Sequence, residues 1–71
     1  MSDEQMTALM GNFARARIAS DAKVMRVWEE PRYGVWLAWI QSKDHGPFQL
    51  QARQKGGQWM VSRYEGILKA N

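Results

Sequence analysis

The sequence predicts an α+β fold: one N-terminal helix packed on a four-stranded antiparallel β-meander, in the order α-β-β-β-β. Three observations carry this reading. Apolar side chains recur at helical spacing over about residues 3–19. Everything after Asp21 alternates strand-like runs with short clusters of Gly, Pro and Asp, which punctuate turns. No linker, repeat or low-complexity segment interrupts the 71 residues, so the expectation is a single domain over 1–71 with strands at about 23–29, 34–41, 48–54 and 58–64.

The helix has a start signal. Ser2 and Gln5 stand at capping-box spacing, where each side chain satisfies the other residue's free backbone N–H. Asp3 and Glu4 in the first turn, with Arg15 and Arg17 near the end, follow the order that the helix dipole favours. Met6, Leu9, Met10, Phe13 and Ala16 form the expected apolar stripe. Gly11 weakens the helix interior by ~1 kcal/mol relative to Ala; it either lets a strand approach closely or is a tolerated surface glycine.

The first strand, "KVMRVWE", leads through "EPRYG" into "YGVWLAWIQ". Pro31 suits the first central position of a turn and Gly34 a left-handed one. "SKDHGP" is a loop, and "FQLQARQ" is the cleanest strand, with Phe48, Leu50 and Ala52 alternating with Gln49, Gln51 and Arg53. "KGGQ" is a hairpin turn before the last strand, "WMVSRYE". The closing "GILKAN" is a tail with room for one helical turn.

The third strand sets the sides, since Phe48, Leu50 and Ala52 must face the helix. A turn centred on Gly56 and Gly57 pairs Ala52 with Val61, and a two-residue shift pairs Leu50 with Val61. Both put Trp59 and Val61 on the helix side and Met60, Ser62 and Tyr64 outside. A four-residue loop at "KDHG" pairs Trp39 with Leu50 and leaves Trp36, Ala38 and Ile40 outside. The first strand has two readings. A four-residue loop "PRYG" pairs Trp28 with Leu37 and turns Val24, Arg26 and Trp28 inward; a one-residue slip turns Met25 and Val27 inward instead. The candidate partner-binding surface is therefore an outer patch of Trp36, Ala38, Ile40, Met60 and Tyr64, with Arg53 beside it. An exposed apolar patch of more than a few hundred Å² marks an interaction site.

Composition narrows the classes. No cysteine is present, which excludes disulfides and thiolate metal sites and suits a reducing cytoplasm. The net charge of +3 is mildly basic and scattered, the mark of a solvated surface. The N-terminus has no signal-peptide pattern, and "VWLAWI" is too short to cross a bilayer, so no membrane association is expected. Asp44 beside His45 is read as turn chemistry; no catalytic, metal-ligating or cofactor-binding residues are assigned. Four tryptophans supply buriable surface that a chain this short needs, because it buries only ~60% of its unfolded area.

A helix followed by a curved four-stranded sheet resembles the cystatin-like core. "GGQWMVSRYEGIL" is similar to the last strands of NTF2-like (SnoaL-type) proteins, with their glycine turn, tryptophan and small-residue stop. The likeness covers about the last fifteen residues, and no catalytic residue carries over. It implies dimerisation through the sheet.

The expected function is a small cytoplasmic, non-enzymatic binding, adaptor or inhibitor protein, of a size common in mobile elements. It uses the outer sheet face for homodimerisation or for another protein. One alternative is single-stranded nucleic-acid binding on that face, through Arg53, Tyr64 and Trp36. The other is an NTF2-like small-molecule site lined by Met6, Met10, Trp39 and Trp59.

Overall fold

The computed structural model describes residues 1–65. It contains α1 (Asp3–Arg17), β1 (Lys23–Glu30), β2 (Val35–Gln41), β3 (Phe48–Lys55) and β4 (Gln58–Arg63). The strands form one antiparallel sheet in the order β1-β2-β3-β4, with the helix on one face. The predicted α+β arrangement and element order are those observed. The tail 66–71 lies outside the described residues.

The capping box forms in both directions: the Gln5 backbone N–H donates to Ser2 Oγ at 3.1 Å, and the Ser2 backbone N–H to Gln5 Oε1 at 3.0 Å. The helix ends at Arg17, two residues before the expected end. The Ile18 and Ala19 N–H groups both bond to the Ala14 carbonyl, which satisfies one of the helix's last acceptors twice without a glycine.

The buried helix face is phased differently from the predicted stripe. Met6, Met10 and Ala14 are fully buried, Leu9 and Phe13 are half-buried flanks, and Ala16 is exposed. This phase follows from the helix lying mainly over β1 and β2. Leu9 and Phe13 line an open groove with Trp59 and Val61 along the β4 side.

β2 is inverted relative to the expected facing. Its register pairs Ile40 with Phe48, Ala38 with Leu50 and Trp36 with Ala52, so Trp36, Ala38 and Ile40 lie in the core beneath the helix. Val35, Leu37 and Trp39 take the outer face. The loop is the physical reason. The Gly46 N–H donates to the Ser42 carbonyl at 3.0 Å, so the chain closes with Lys43, Asp44 and His45 between them. Gly46 takes φ 65°, the left-handed conformation that ends such three-residue connections. One residue fewer in the loop turns over every side chain of the strand.

The loop between β1 and β2 closes as expected, with Trp28 opposite Leu37. Because Leu37 faces out, Trp28 and Arg26 do too. The two rival facings of β1 are resolved by a β-bulge. Val24 pairs with Ile40 and Arg26 with Trp39, leaving Met25 as the unpaired extra residue, 57% exposed. The bulge changes the alternation within the strand, so both Val24 and Val27 pack on the core.

The turn from β3 to β4 pairs Lys55 with Gln58 and Ala52 with Val61. Gly56 and Gly57 both have positive φ, 58° and 83°, as a two-residue hairpin turn of this twist requires.

Gly11 is buried, but not by a strand. A methyl group at this position would lie 2.8 Å from Arg15 Nη2. The Arg15 side chain folds back over the glycine and donates to Asn12 Oδ1 at 3.2 Å and to the Ala22 carbonyl at 3.3 Å. The obstruction is the far end of a flexible side chain. Gly11→Ala is therefore expected to stabilise the fold by up to ~1 kcal/mol of helix propensity, raising Tm by roughly 4–8 °C at that full gain. A fall in Tm on thermal denaturation would show that the seating of Arg15 outweighs the propensity.

Candidate protein-interaction face

Register places the outer-face side chains in rows across the sheet. One row holds Arg26, Trp39 and Gln49; the Tyr64 N–H extends it by donating to the Gln49 carbonyl at 2.8 Å. The middle row is Trp28, Leu37, Gln51 and Ser62, and the last is Glu30, Val35, Arg53 and Met60. No described element covers this face.

Its centre is nonetheless little exposed. Val35 and Leu37 are only 5% and 8% exposed. They form the floor of an open cleft of about 410 Å³ whose other lining residues are Glu30, Tyr33, Gln51, Arg53 and Tyr64. Tyr33 comes from the loop between β1 and β2, and Tyr64 from just beyond β4. Two aromatic walls thus flank an apolar floor, with one carboxylate and one guanidinium at its sides. Around the cleft, Trp39, Met60 and Tyr33 remain exposed large apolar groups.

The β1 edge is ordered by its own side chains. The Arg26 guanidinium lies 4.9 Å from the centre of the Trp28 ring, a cation–π contact. The Trp28 indole N–H donates to Glu30 Oε2 at 3.0 Å. These three residues alternate along one strand and brace one another.

Of the residues expected to bind a partner, Met60, Tyr64 and Arg53 lie on the outer face. Trp36, Ala38 and Ile40 are 6%, 0% and 1% exposed in the core, so the exposure that offered them as a surface is not there. The loop length described above is the reason. The outer face instead gains Trp28, Val35, Leu37, Trp39 and Tyr33. The signal for them was in the sequence: "PRYG" pairs Trp28 with Leu37, and only the choice of side was missing. The proposed lining of a small-molecule site does not assemble. Met6 and Met10 are fully buried, and Trp39 is on the opposite side of the sheet from Trp59.

Asp44 and His45 sit in the loop, where the His45 backbone N–H donates to Ser42 Oγ at 3.1 Å. Among the described residues no three His, Cys, Asp or Glu side chains are grouped to hold a metal ion. No described helix is long and apolar enough to cross a membrane. No known protein family, curated protein or solved structure matches the chain.

Asp21 fastens the loop that fixes the sheet's sides. It accepts the Lys43 N–H at 2.8 Å and the Ser42 hydroxyl at 2.8 Å. The Lys43 backbone N–H, then the Ser42 hydroxyl, hold its carboxyl below the ordinary value of 3.8. A folded-state pKa below the unfolded one gives stability that is present above the ordinary carboxylate range and is lost as pH falls through the folded pKa. Asp21→Asn is expected to lower stability near neutrality and to flatten the acid limb of the stability curve. Thermal melts from neutral to acid pH test this. An unchanged acid limb in the variant would show that Asp21 is not the group responsible.

Proposed function

We propose that this chain is a non-enzymatic interaction module that binds protein surface through its outer sheet face, as a homodimer or with another protein. The observation that carries the reading is the uncovered face itself. An apolar floor at Val35 and Leu37 lies in a cleft between two tyrosines, amid exposed Trp39 and Met60. Aromatic residues, Met and Arg around an apolar centre are the composition of protein interfaces. The absence of cysteine suits a cytoplasmic setting.

A single-stranded nucleic-acid reading draws on the stacked Arg26 and Trp28, with Arg53 and Tyr64 on the same face. Aromatic platforms beside cations can stack bases. Against it, Glu30 lines the same cleft, the third strand contributes neutral Gln49 and Gln51, and net charge is only +3. Phosphate binding draws much of its affinity from a larger positive field.

One pair of measurements separates the readings. In the homodimer form, sedimentation equilibrium at high micromolar concentration gives a mass above the 8.2 kDa of one chain, in low salt and high salt alike, whereas a monomer that no oligonucleotide quenches leaves the form that binds another protein. Titration with a mixed-sequence oligonucleotide at low salt is expected to leave tryptophan fluorescence unchanged. A monomer whose fluorescence is quenched by the oligonucleotide, with the quenching relieved by salt, would overturn the protein-interface reading in favour of nucleic acid.

A further inference from the structure

Resting on the reading of the outer face as a protein interface, we propose that its occupant is a second copy of the chain, docked by a reciprocal insertion of Trp39 into the Val35–Leu37 cleft. Both halves of this contact lie on one strand. Trp39 stands 45% exposed toward one end of β2, whereas Val35, four residues away on the same face, is 5% exposed at the cleft floor. Leu37 lies midway between them.

A two-fold axis through Leu37, in the plane of the face and perpendicular to the strands, exchanges the two end rows. It carries each Trp39 over the cleft of the other chain and leaves Leu37 against its own copy. Such an isologous contact uses the same patch twice. The operation that fills the cleft also sets Arg26 over the partner's Glu30, because these two residues occupy opposite end rows of β1. One oxygen of Glu30 accepts from the Trp28 indole, and the other accepts from no described residue and can take the partner's Arg26. On β3 the same exchange brings Arg53 to the partner's Gln49, whose amide oxygen is an acceptor.

An axis running along β2 is the competing arrangement. It sets Glu30 over the partner's Arg53, so charge alone does not choose between the two. Under that axis, however, Trp39 stacks on its own copy and the cleft stays empty. Filling the cleft decides for the perpendicular axis.

Affinity should be modest. Four strands and about seven residues give a footprint of ~19 by ~24 Å on each chain, which places the interface at the small end of stable complexes, near or below ~1,200 Å² in total. A dimer that forms in the micromolar range fits that size.

The chain has no cysteine, so single ones report on the geometry. Arg26→Cys and Glu30→Cys proteins are mixed with a bismaleimide long enough for the ~10 Å between packed sheets. Cross-linked dimer is expected from this mixture and not from either variant alone. In parallel, Trp39→Ala should weaken dimerisation about tenfold or more, the loss of a central aromatic anchor, while its melting curve stays cooperative. Wild type that is monomeric at high micromolar concentration overturns this pairing and the homodimer form of the function together. A wild-type dimer that Trp39→Ala leaves equally tight overturns the insertion alone. A dimer that cross-links from Glu30→Cys mixed with Arg53→Cys, and not from the first mixture, overturns the axis in favour of the one along β2.

Discussion

The Ser42 hydroxyl sits at the point on which both faces of the sheet depend. It donates to Asp21 and accepts from the His45 N–H, while the Ser42 carbonyl accepts from Gly46. These bonds close the connection from β2 to β3 over three residues and so place Ile40 opposite Phe48. Side chains alternate strictly along a strand, so this one pairing decides that the even-numbered residues of β2 are core and the odd-numbered ones are surface. Asp21 joins this loop to the segment that follows the helix. The same contact therefore ties the helical layer to the sheet at the end where sidedness is set.

With that parity, a short chain assembles a core from few large groups. Trp36, Ile40, Phe48 and Leu50 supply bulk from the sheet, and Met6 and Met10 supply it from the helix. Ala14, Ala38 and Ala52 are fully buried where helix and sheet meet. Methionine's flexibility suits the irregular space between one helix and a twisted sheet. Leu9, Phe13, Ile18, Val24, Val27, Trp59 and Val61 pack around the margin of this core, and a further set of large apolar residues falls on the other side. A single helix covers one face only, so Val35, Leu37 and Trp39 share the opposite face with Trp28, Tyr33 and Tyr64. Tyr33, Tyr64 and the polar residues beside them leave Val35 and Leu37 little exposed at the floor of the cleft.

Much of this was legible in the residues. The capping box at Ser2 and Gln5, the alternation of Phe48, Leu50 and Ala52, the turn at Gly56 and Gly57 and the "PRYG" loop each have a local chemical cause, and each formed. β2 was illegible because both of its faces are apolar: hydrophobic pattern selects a side only when the two sides differ. Its facing comes down to a loop one residue shorter than the expected four, closed by the Gly46 N–H on the Ser42 carbonyl and anchored by a hydrogen bond from Ser42 to Asp21, twenty-one residues away. β1 was illegible for a related reason. Val24 and Val27 are spaced so that no regular strand buries both, and the bulge at Met25 that reconciles them has no glycine to announce it. The candidate face inherited the error in β2. The alternation of their strands identifies Met60, Tyr64 and Arg53, whereas the expected four-residue "KDHG" loop turns Leu37 and Trp39 to the wrong side, and the sequence leaves the side of Trp28 open between two registers. The likeness of the closing hairpin to NTF2-like proteins carries no residue into that face.

The parity of β2 is the claim on which core, face and proposed interface all rest, and thiol accessibility reads it directly. Ala38→Cys and Trp39→Cys, each the sole cysteine in its chain, differ by one position and by opposite predicted sides. Labelling by a maleimide reagent is measured at low protein concentration, below the range of self-association, in native buffer and in denaturant. The account predicts strong native-state protection at position 38 and labelling at position 39 close to the denatured rate. Protection at 39 with rapid labelling at 38 would contradict it, and would return Trp36, Ala38 and Ile40 to the surface.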